Sequence, residues 1–577
     1  MINRLIFFTA VILISIHTRA QEANQMAELY QKANDKLESG DYRSAILDYS
    51  QLINSKFDDK EVYVKRGIAN YQLKNYNEAK SDFNDANKAK VNSSELFGYL
   101  GLIKYQENDF QGAASDLERA VSQGFKEPTA LYNLGNAKFR LESYQDAVKY
   151  YDQAESAGYS EAPLFNNRGK AKSSLNDFSS AISDYEKALQ KDCNYDKALE
   201  NKAAAYYELK DWENAANDYD ALIKKGKVDA ENYAKKGIAE YQNEQLESAI
   251  ASMESAIKRG SKNDMLKYYL GVSYANQGNY KKAAQYYDQA LRANVNEPSV
   301  PVKLGSAYFQ SGAFRQAETA LSEAISKGNN DMEAYLYRGL ARYELKDETG
   351  ASGDLKQAID KEAKNYQAYY YYGNTQFKYE EYHLAITAYN SAVAIQSDDP
   401  VLFNNRGKAE LMLDQYEASI KDFNQAISLK SDYMKAIENR AAAYFALKNW
   451  SKSKEDYAKV RASGNTEAIV YERLGIAEFN LGEYDESITD LKSAIQRGSE
   501  NPELNEKLGV ALFKTDNYKS AYSYLLKAAE STDPSSSLAE MTGVAAYRTN
   551  DFRNAVKYLS AAIDGGSTLS DIYAYRG

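Results

Sequence analysis

The chain has 577 residues, a formal net charge of −11, 44% hydrophobic residues, one cysteine and two histidines. So few cysteines and histidines exclude an internal disulfide and argue against His/Cys metal sites and nucleophile–histidine enzymes, so we expect no catalytic activity, no cofactor and no metal. The acidic balance argues against general binding to nucleic acid or to anionic membranes.

The first twenty residues differ from the rest of the chain. A basic residue, Arg4, precedes an apolar run from Leu5 to Ile16, which is too short to span a bilayer comfortably, and a small residue, Ala20, follows. This order is typical of a secretory signal peptide, with a retained membrane anchor as the alternative.

The domain prediction is therefore a signal peptide at residues 1–20 and a mature chain at residues 21–577. A composition rich in Asn, Lys, Tyr and Ser with so little Cys favours a bacterial source. We expect the mature chain to be exported, to the periplasm or cell envelope or as a secreted protein, without stable membrane insertion.

Small residues recur every 34 positions from Ala33 to Gly577, with no insertion. Of these 17 positions, 14 hold Gly and three hold Ala. Nine residues later, 14 of the 16 complete units carry an aromatic residue, and the exceptions are Leu246 and Glu348. Such a period is typical of stacked helical hairpins that all meet their neighbours in the same way. We expect the aromatic residue to fill the wedge between a hairpin and its neighbour, beside the small residue.

The unit Ala130–Ala154, ALYNLGNAKFRLESYQDAVKYYDQA, resembles the tetratricopeptide repeat, and the resemblance extends from Ala23 to Gly577. It implies an all-α fold, a right-handed superhelical solenoid of about sixteen and a half helix-turn-helix repeats with a concave groove. The last repeat is cut after its first helix, so we expect the natural chain to continue past Gly577.

A second period of 238 residues divides the repeats into two seven-repeat blocks. The octapeptide LFNNRGKA occurs at Leu164–Ala171 and again at Leu402–Ala409. Duplication of a block explains the period. Shared ligand contacts are one reason why these stretches match better than their surroundings.

The resemblance also implies that the first helix of each repeat lines the groove. Asparagines stand two residues before the small residue in consecutive repeats and resemble an asparagine ladder, whose amides both donate to and accept from a peptide backbone. A partial resemblance to carboxylate-gripping members adds lysines, although Tyr132 and Tyr370 replace one lysine of that pattern. The alternative is that the asparagines only keep the groove solvated. The peptide-binding candidates are Asn133, Asn136, Arg140, Asn167, Lys170, Lys197 and Asn201 in the first block, and Asn374, Lys378, Asn405, Lys408, Lys435 and Asn439 in the second.

These features favour a scaffold or adaptor of the bacterial cell envelope that binds a protein or an extended peptide in the groove. One alternative is the recognition arm of an exported enzyme whose catalytic domain lies beyond residue 577. Another is a binder of cell-wall carbohydrate, since tyrosine and asparagine also suit sugars. Nothing in the sequence indicates the identity of the partner or the oligomeric state.

Overall fold

The computed structural model describes residues 2–531, 533–568 and 570–577, and in these residues it contains 33 α-helices and no strand. Odd-numbered helices open the hairpins and are called A helices, and the even-numbered helices that follow them are called B helices. The A helices are α1 Ile2–Glu38, α3 Glu61–Gln72, α5 Ser94–Gln106, α7 Pro128–Arg140, α9 Ala162–Ser174, α11 Asp196–Leu209, α13 Ala230–Gln242, α15 Met265–Asn276, α17 Val300–Gln310, α19 Met332–Glu344, α21 Tyr366–Lys378, α23 Pro400–Met412, α25 Met434–Ala446, α27 Ala468–Leu481, α29 Glu503–Lys514, α31 Ser536–Arg548 and α33 Ser570–Arg576. The B helices are α2 Tyr42–Asn54, α4 Tyr76–Lys88, α6 Phe110–Ser122, α8 Tyr144–Ser156, α10 Phe178–Lys191, α12 Trp212–Lys224, α14 Leu246–Lys258, α16 Tyr280–Arg292, α18 Phe314–Ser326, α20 Glu348–Asp360, α22 Tyr382–Ile395, α24 Tyr416–Leu429, α26 Trp450–Ala462, α28 Tyr484–Gln496, α30 Tyr518–Ser531 and α32 Phe552–Asp564.

The helices form two compact units, Met1–Gln277 and Gly278–Gly577. Within each unit, the two helices of a hairpin pack together, and the next A helix packs against the preceding B helix. Each hairpin therefore meets its nearest neighbours in the same way, and the apolar core is a row of small clusters. The all-α repeat fold predicted from the 34-residue period is confirmed.

The first helix, α1, is longer than the others because it includes the predicted signal peptide. Large apolar side chains in this part are exposed, with Phe7 71% and Leu13 65% accessible to solvent. Packing against the first B helix begins at Met26 and Leu29. Among the helices of the described residues, none has both the length and the apolar content of a membrane span.

The recurring small residue allows a large side chain of the B helix to pack against the A-helix backbone. A Cβ atom added to Gly135 would lie 2.7 Å from the ring of Tyr151, which is sixteen residues later. The aromatic residue nine positions later has a different role from the one predicted. It begins the B helix and packs edge-on against its own A helix, as Tyr144 does against Phe139 with ring centroids 5.4 Å apart. The predicted wedge role was therefore wrong, because the side chain that fills the space beside the glycine lies further along the B helix.

An arginine directly before the small residue forms an ion pair with an aspartate sixteen residues later in several repeats. We call the space where these side chains meet the outer cleft. It is lined by one B helix, the next A helix and the next B helix. The N···O distance is 2.6 Å between Arg66 and Asp82 and 2.6–2.7 Å in the other pairs. These other pairs are Arg168–Asp184, Arg338–Asp354, Arg406–Asp422 and Arg440–Asp456.

Two glutamates, Glu410, which is half-buried, and Glu478, which is buried, also lie beside the aspartate of an outer cleft. Glu410 lies beside Asp422, and burial together with that carboxylate raises the pKa of Glu410 to about 7. Glu478 has the same register beside Asp490, and burial raises the pKa of Glu478 as well. In both glutamates Oε2 is buried and has no hydrogen-bond partner among the described residues. Burial therefore favours the protonated form of each side chain relative to a glutamate in water.

We expect Glu410→Gln to stabilise the α23–α24 hairpin by about 2 kcal/mol at pH 8 and to leave it unchanged at pH 4. Unfolded glutamate ionises near 4.5, whereas the folded side chain keeps its proton up to about pH 7, so the native chain loses stability as the pH rises between these values. Hydrogen exchange of α23 and α24 at both pH values, corrected for intrinsic rates, measures the effect. Glu417→Gln, on the exposed surface of α24, is the matched control. Equal protection of Glu410→Gln and the native chain at pH 8 would contradict this account.

Candidate functional site

Four asparagines of the first unit form one continuous hydrogen-bonded network on the A helices. Asn201 Nδ2 donates to Asn166 Oδ1 at 2.8 Å, and Asn166 Nδ2 donates to Asn167 Oδ1 at 3.1 Å. Asn167 Nδ2 then donates to Asn136 Oδ1 at 3.0 Å and to the Tyr132 hydroxyl at 3.1 Å. We call these residues, with Tyr151, the first asparagine cluster. The network links α7, α9 and α11, so it holds three successive repeats in register.

The buried side chain of Tyr151 contributes a further hydrogen bond to the network from the core of the hairpin. Its hydroxyl donates to Asn136 Oδ1 at 2.8 Å, so that this oxygen accepts two hydrogen bonds. Burial raises the pKa of Tyr151 and raises the pKa of Tyr132 to about 12, so both hydroxyls remain protonated near neutral pH. The first asparagine cluster is therefore uncharged.

The second unit repeats this arrangement on α21, α23 and α25. Asn439 Nδ2 donates to Asn404 at 2.9 Å, and Asn404 donates to Asn405 at 3.3 Å. Asn405 donates to Asn374 at 3.2 Å, and the buried Tyr389 hydroxyl donates to the same oxygen at 2.9 Å. These residues and Tyr370, whose hydroxyl also accepts from Asn405 at 3.4 Å, form the second asparagine cluster. The 238-residue period is thus visible as two side-chain networks with the same connections.

A small pocket opens beside each cluster. The first has a volume of about 150 Å³ and lies among Asn136, Asn167, Phe139 and Lys170. The second has about 180 Å³, and the corresponding residues line it. Both are smaller than the roughly 300–1,000 Å³ typical of sites for whole small molecules. Each is suited to one functional group, such as a side-chain carboxylate or a backbone amide of a bound segment.

The rims of the pockets carry positive charge. Lys170 Nζ lies 5.4 Å from the Phe139 ring centre, and Arg140 lies 5.8 Å from that of Phe110. In the second pocket, Lys408 Nζ lies 5.0 Å from the Phe377 ring centre. Within the described residues, none of these three cations has a carboxylate partner.

The second pocket has less free positive charge than the first. Lys378, at the position of Arg140, forms an ion pair with Glu348 at 2.6 Å. Glu348 is one of the two residues that replace the aromatic at the start of a B helix. The first pocket therefore has two unpaired cations at its rim, and the second has one.

The structure brings together six of the thirteen candidate residues in the two hydrogen-bonded clusters, four of them lining the pockets and two at the outer ends of the networks. These six are Asn136, Asn167, Asn201, Asn374, Asn405 and Asn439. The pocket rims hold three more, Arg140, Lys170 and Lys408. Lys378 is ion-paired, and Lys197 and Lys435 are exposed on α11 and α25 outside the pockets. Asn133 is half-buried and makes no side-chain hydrogen bond to a described residue.

Sequence reasoning missed the residues that hold the clusters together. Asn166 and Asn404 are 3% and 4% exposed, and the hydrogen bonds of each connect the network of one repeat to that of the next. The sequence signal for these two residues was the double asparagine of LFNNRGKA, but only the second asparagine of that pair was chosen as a binding candidate. Tyr151 and Tyr389 were also missed, since they read as ordinary core positions. Their second function as hydrogen-bond donors depends on contacts between helices.

The described residues contain no group of three or more His, Cys, Asp or Glu side chains placed to hold a metal ion. Cys193 is a free, exposed cysteine, and His383 is exposed on α22. The chemistry that the clusters offer is therefore hydrogen bonding and charge attraction.

Comparison with protein-family models matches three models, each described as a tetratricopeptide repeat. One matches residues 100–163, 166–230, 235–298 and 472–537, a second matches residues 274–341, and a third matches residues 402–433. Together the matches cover more than half of the chain. No curated protein sequence matches the chain.

Several solved structures are similar to parts of the chain. A fragment of MamA from Desulfovibrio magneticus RS-1 is 22% identical, with 29% of this chain and 94% of that chain covered and a TM-score of 0.27. A tetratricopeptide repeat protein from Parabacteroides merdae is 18% identical, with 44% of this chain and 100% of that chain covered and a TM-score of 0.28.

Proposed function

Because the chain belongs to the tetratricopeptide repeat family, we propose that it is a protein-interaction scaffold whose A-helix face binds an extended segment of a partner protein at the two asparagine clusters. The observation that carries the proposal is the recurrence of one cluster, pocket and unpaired lysine in both units. A purely structural network explains the hydrogen bonds, but it does not require a pocket with an unpaired lysine at its rim in each unit.

The clusters are suited to binding because their amides are already fixed. An amide that is held by neighbouring hydrogen bonds loses little conformational freedom when a ligand arrives, which lowers the cost of binding. The lysines attract carboxylates and carbonyl oxygens of the partner, and the aromatic rings beneath them bury its apolar parts. Asn167 Oδ1 accepts one hydrogen bond, from Asn166, and Asn167 also lines the first pocket. Such contacts favour backbone and acidic groups of an extended segment over a particular sequence.

We further propose that the scaffold works outside the cytoplasm, in the cell envelope of a bacterium. The apolar run from Leu5 to Ile16 and the small residue Ala20 support a signal peptide. The exposed apolar side chains of the first part of α1 agree with a segment that is not needed by the folded repeats.

The proposal is tested with peptides selected by the full chain from a random dodecapeptide library displayed on phage. Synthetic versions of the selected peptides are titrated against the native chain and against Lys170→Gln and Lys408→Gln, with fluorescence anisotropy as the readout. We expect at least one of the two substitutions to weaken binding of a given peptide about tenfold, which is about 1.4 kcal/mol. Both lysines are exposed, so the fold is expected to be unaffected.

Lys149→Gln, on the exposed side of α8, is the control for the change in net charge. Asn167→Ala with Asn405→Ala removes the central amide of each cluster. Selected peptides that bind this double variant and the lysine variants as tightly as the native chain would refute the proposal. An equal loss for Lys149→Gln would also refute it, because the effect would then come from overall charge.

A further inference from the structure

A cavity of the second unit lies in the outer cleft formed by α16, α17 and α18. It has a volume of about 750 Å³, within the range of roughly 300–1,000 Å³ typical of ligand sites. The apolar residues of its lining, which we call the apolar floor, are Leu291, Pro298, Pro301, Leu304, Tyr308 and Ala320. Asp288, Arg315 and Glu323 stand at its rim. The cavity is on the B-helix side, so it is distinct from the asparagine clusters on the A helices.

The outer cleft four repeats earlier shows what ordinarily occupies this space. It lies among α8, α9 and α10, has a volume of about 340 Å³, and is lined by charged and polar residues. Its charged residues include Glu155, Arg168, Lys172 and Asp184. At the same repeat positions, the cleft formed by α16, α17 and α18 has Leu291, Leu304, Tyr308 and Ala320, in the same order. Four charged side chains are thus replaced by apolar or aromatic ones, and the space between the helices is larger.

An aromatic ring and an arginine fill the outer cleft in several other repeats. The aromatic stands four residues before the small residue, and the guanidinium of the arginine lies over or beside its ring. The distances from guanidinium carbon to ring centre are 5.5 Å for Arg168 and Phe165, 5.8 Å for Arg338 and Tyr335, and 5.4 Å for Arg406 and Phe403.

At α17 both members of this pair are missing. The aromatic position holds Pro301 and the arginine position holds Leu304. Pro301 and Leu304 are smaller than the ring and the arginine of α9, α19 and α23, so they leave more of this cleft open. A recess of this volume with a largely apolar lining is typical of binding sites on folded proteins.

One acceptor of the missing arginine is still present, although the position of the main acceptor, Asp184, holds Ala320. In the earlier cleft, Arg168 donates to Asp152 at 2.7 Å. Asp288 occupies the same repeat position as Asp152, at the rim of the cavity. Its partner is Arg292 of its own helix, at 2.8 Å, and the Arg292 side chain is 79% exposed. An exposed pair of this kind contributes little, so a cation that enters the cavity can replace Arg292 at the carboxylate.

We propose that this cavity binds an aromatic side chain and an adjacent basic side chain of a partner protein. The partner then supplies from outside the ring and the cation that the repeats of α9, α19 and α23 supply from within. The ring is buried against the proline and leucine floor, and the cation forms a charge-assisted hydrogen bond with Asp288. Aromatic residues and arginine are also the side chains that dominate binding energy at protein interfaces.

Three blocked dipeptides test the proposal on the full chain by isothermal titration calorimetry. They are the N-acetyl amides of Phe-Arg, Phe-Glu and Ala-Arg. We expect the Phe-Arg compound to bind at least tenfold more tightly than either of the others. Equal affinity for the Phe-Glu compound would overturn the role of Asp288, and equal affinity for the Ala-Arg compound would overturn the role of the apolar floor.

Two kinds of variant locate the binding. Pro301→Phe with Leu304→Arg restores the internal pair and is expected to abolish binding of the Phe-Arg compound, and Ala320→Leu fills the cavity by a second route. Asp288→Asn is expected to keep the preference for the ring and to lose the preference for the cation. Unchanged binding to a folded, filled variant would refute the site. Lys170→Gln and Lys408→Gln are expected to leave this binding unchanged, so a failure here is separate from a failure at the asparagine clusters.

Discussion

Replacing Arg168 by methionine is expected to lower the stability of the α9–α10 hairpin by about 3–5 kcal/mol. The side chain is 3% exposed, and its guanidinium donates two hydrogen bonds to Asp184, at 2.6 and 2.9 Å. A third donation, at 2.7 Å, reaches Asp152 on the preceding B helix. Methionine fills part of the volume but leaves the buried Asp184 carboxylate, which is 2% exposed, without its main partner and with only Lys172, at 2.8 Å, as a cation. A buried carboxylate that loses both guanidinium hydrogen bonds is the source of the cost, and the remaining lysine places the expected loss at the lower end of this range.

The double variant Arg168→Met with Asp184→Leu separates the two parts of this effect. If the cost comes from the unpaired carboxylate, the double variant is expected to recover most of the loss. Arg440→Met is the matched control, because its side chain is 18% exposed against 4% for that of Arg168, and its loss is expected to be smaller. Hydrogen exchange of α9 and α10 in the full chain gives the local stability. A loss below about 1 kcal/mol for Arg168→Met would place this ion pair among ordinary surface pairs.

Replacing Tyr151 by alanine is expected to cost about 3–5 kcal/mol, the range for removing a large buried aromatic side chain. The residue is fully buried, and its ring packs against the backbone of Gly135 at the centre of the hairpin. The substitution also removes the donor to Asn136 Oδ1 and so weakens the first asparagine cluster. We expect loss of exchange protection in α7, α8 and α9 together, since the cavity lies where the hairpin meets the next A helix.

Tyr151→Phe distinguishes packing from hydrogen bonding. The ring remains, and only the donor is lost, so we expect a cost of about 1 kcal/mol. Tyr389→Ala is the equivalent change in the second unit and is expected to show the same pattern in α21, α22 and α23. A phenylalanine variant as unstable as the alanine variant would show that the hydroxyl, and not the ring, determines the stability of the hairpin.

Much of the fold could be predicted from the sequence because the period leaves little choice. Small residues at every 34th position set the length of the repeat, and the helix boundaries follow from it. The partner of each small residue was not predicted, because the aromatic nine residues later is more uniform in type than the side chain sixteen residues later. The latter position holds Tyr151, Phe83, Leu117 or Met253 in different repeats, so shape and not residue type defines it.

The candidate site was predicted in part, for a related reason. The position of Asn167 and Asn405 within the repeat was enough to identify them, because residues at equivalent positions of successive repeats lie on the same face of a solenoid. It did not identify Asn166 and Asn404, because the direction in which a network continues depends on distances between helices. The cavity beside Leu304 was not predicted either. The cavity arises because Pro301, Leu304 and Ala320 stand where several other repeats have larger or charged side chains. Its size depends on three helices together.

The restriction of contacts to neighbouring hairpins has a consequence for how the chain is made. Within each unit, no hairpin waits for a distant segment to be synthesised before its core is complete. A repeat gains its last neighbour when the following 34 residues have emerged from the ribosome or, for an exported chain, from the translocation channel, so we expect folding to proceed from the N-terminus as the chain emerges. The unfolded stretch at any moment is then about one or two repeats long. For a chain with 51 tyrosines, this order of events keeps the exposed apolar surface of the nascent protein small and lowers its tendency to aggregate.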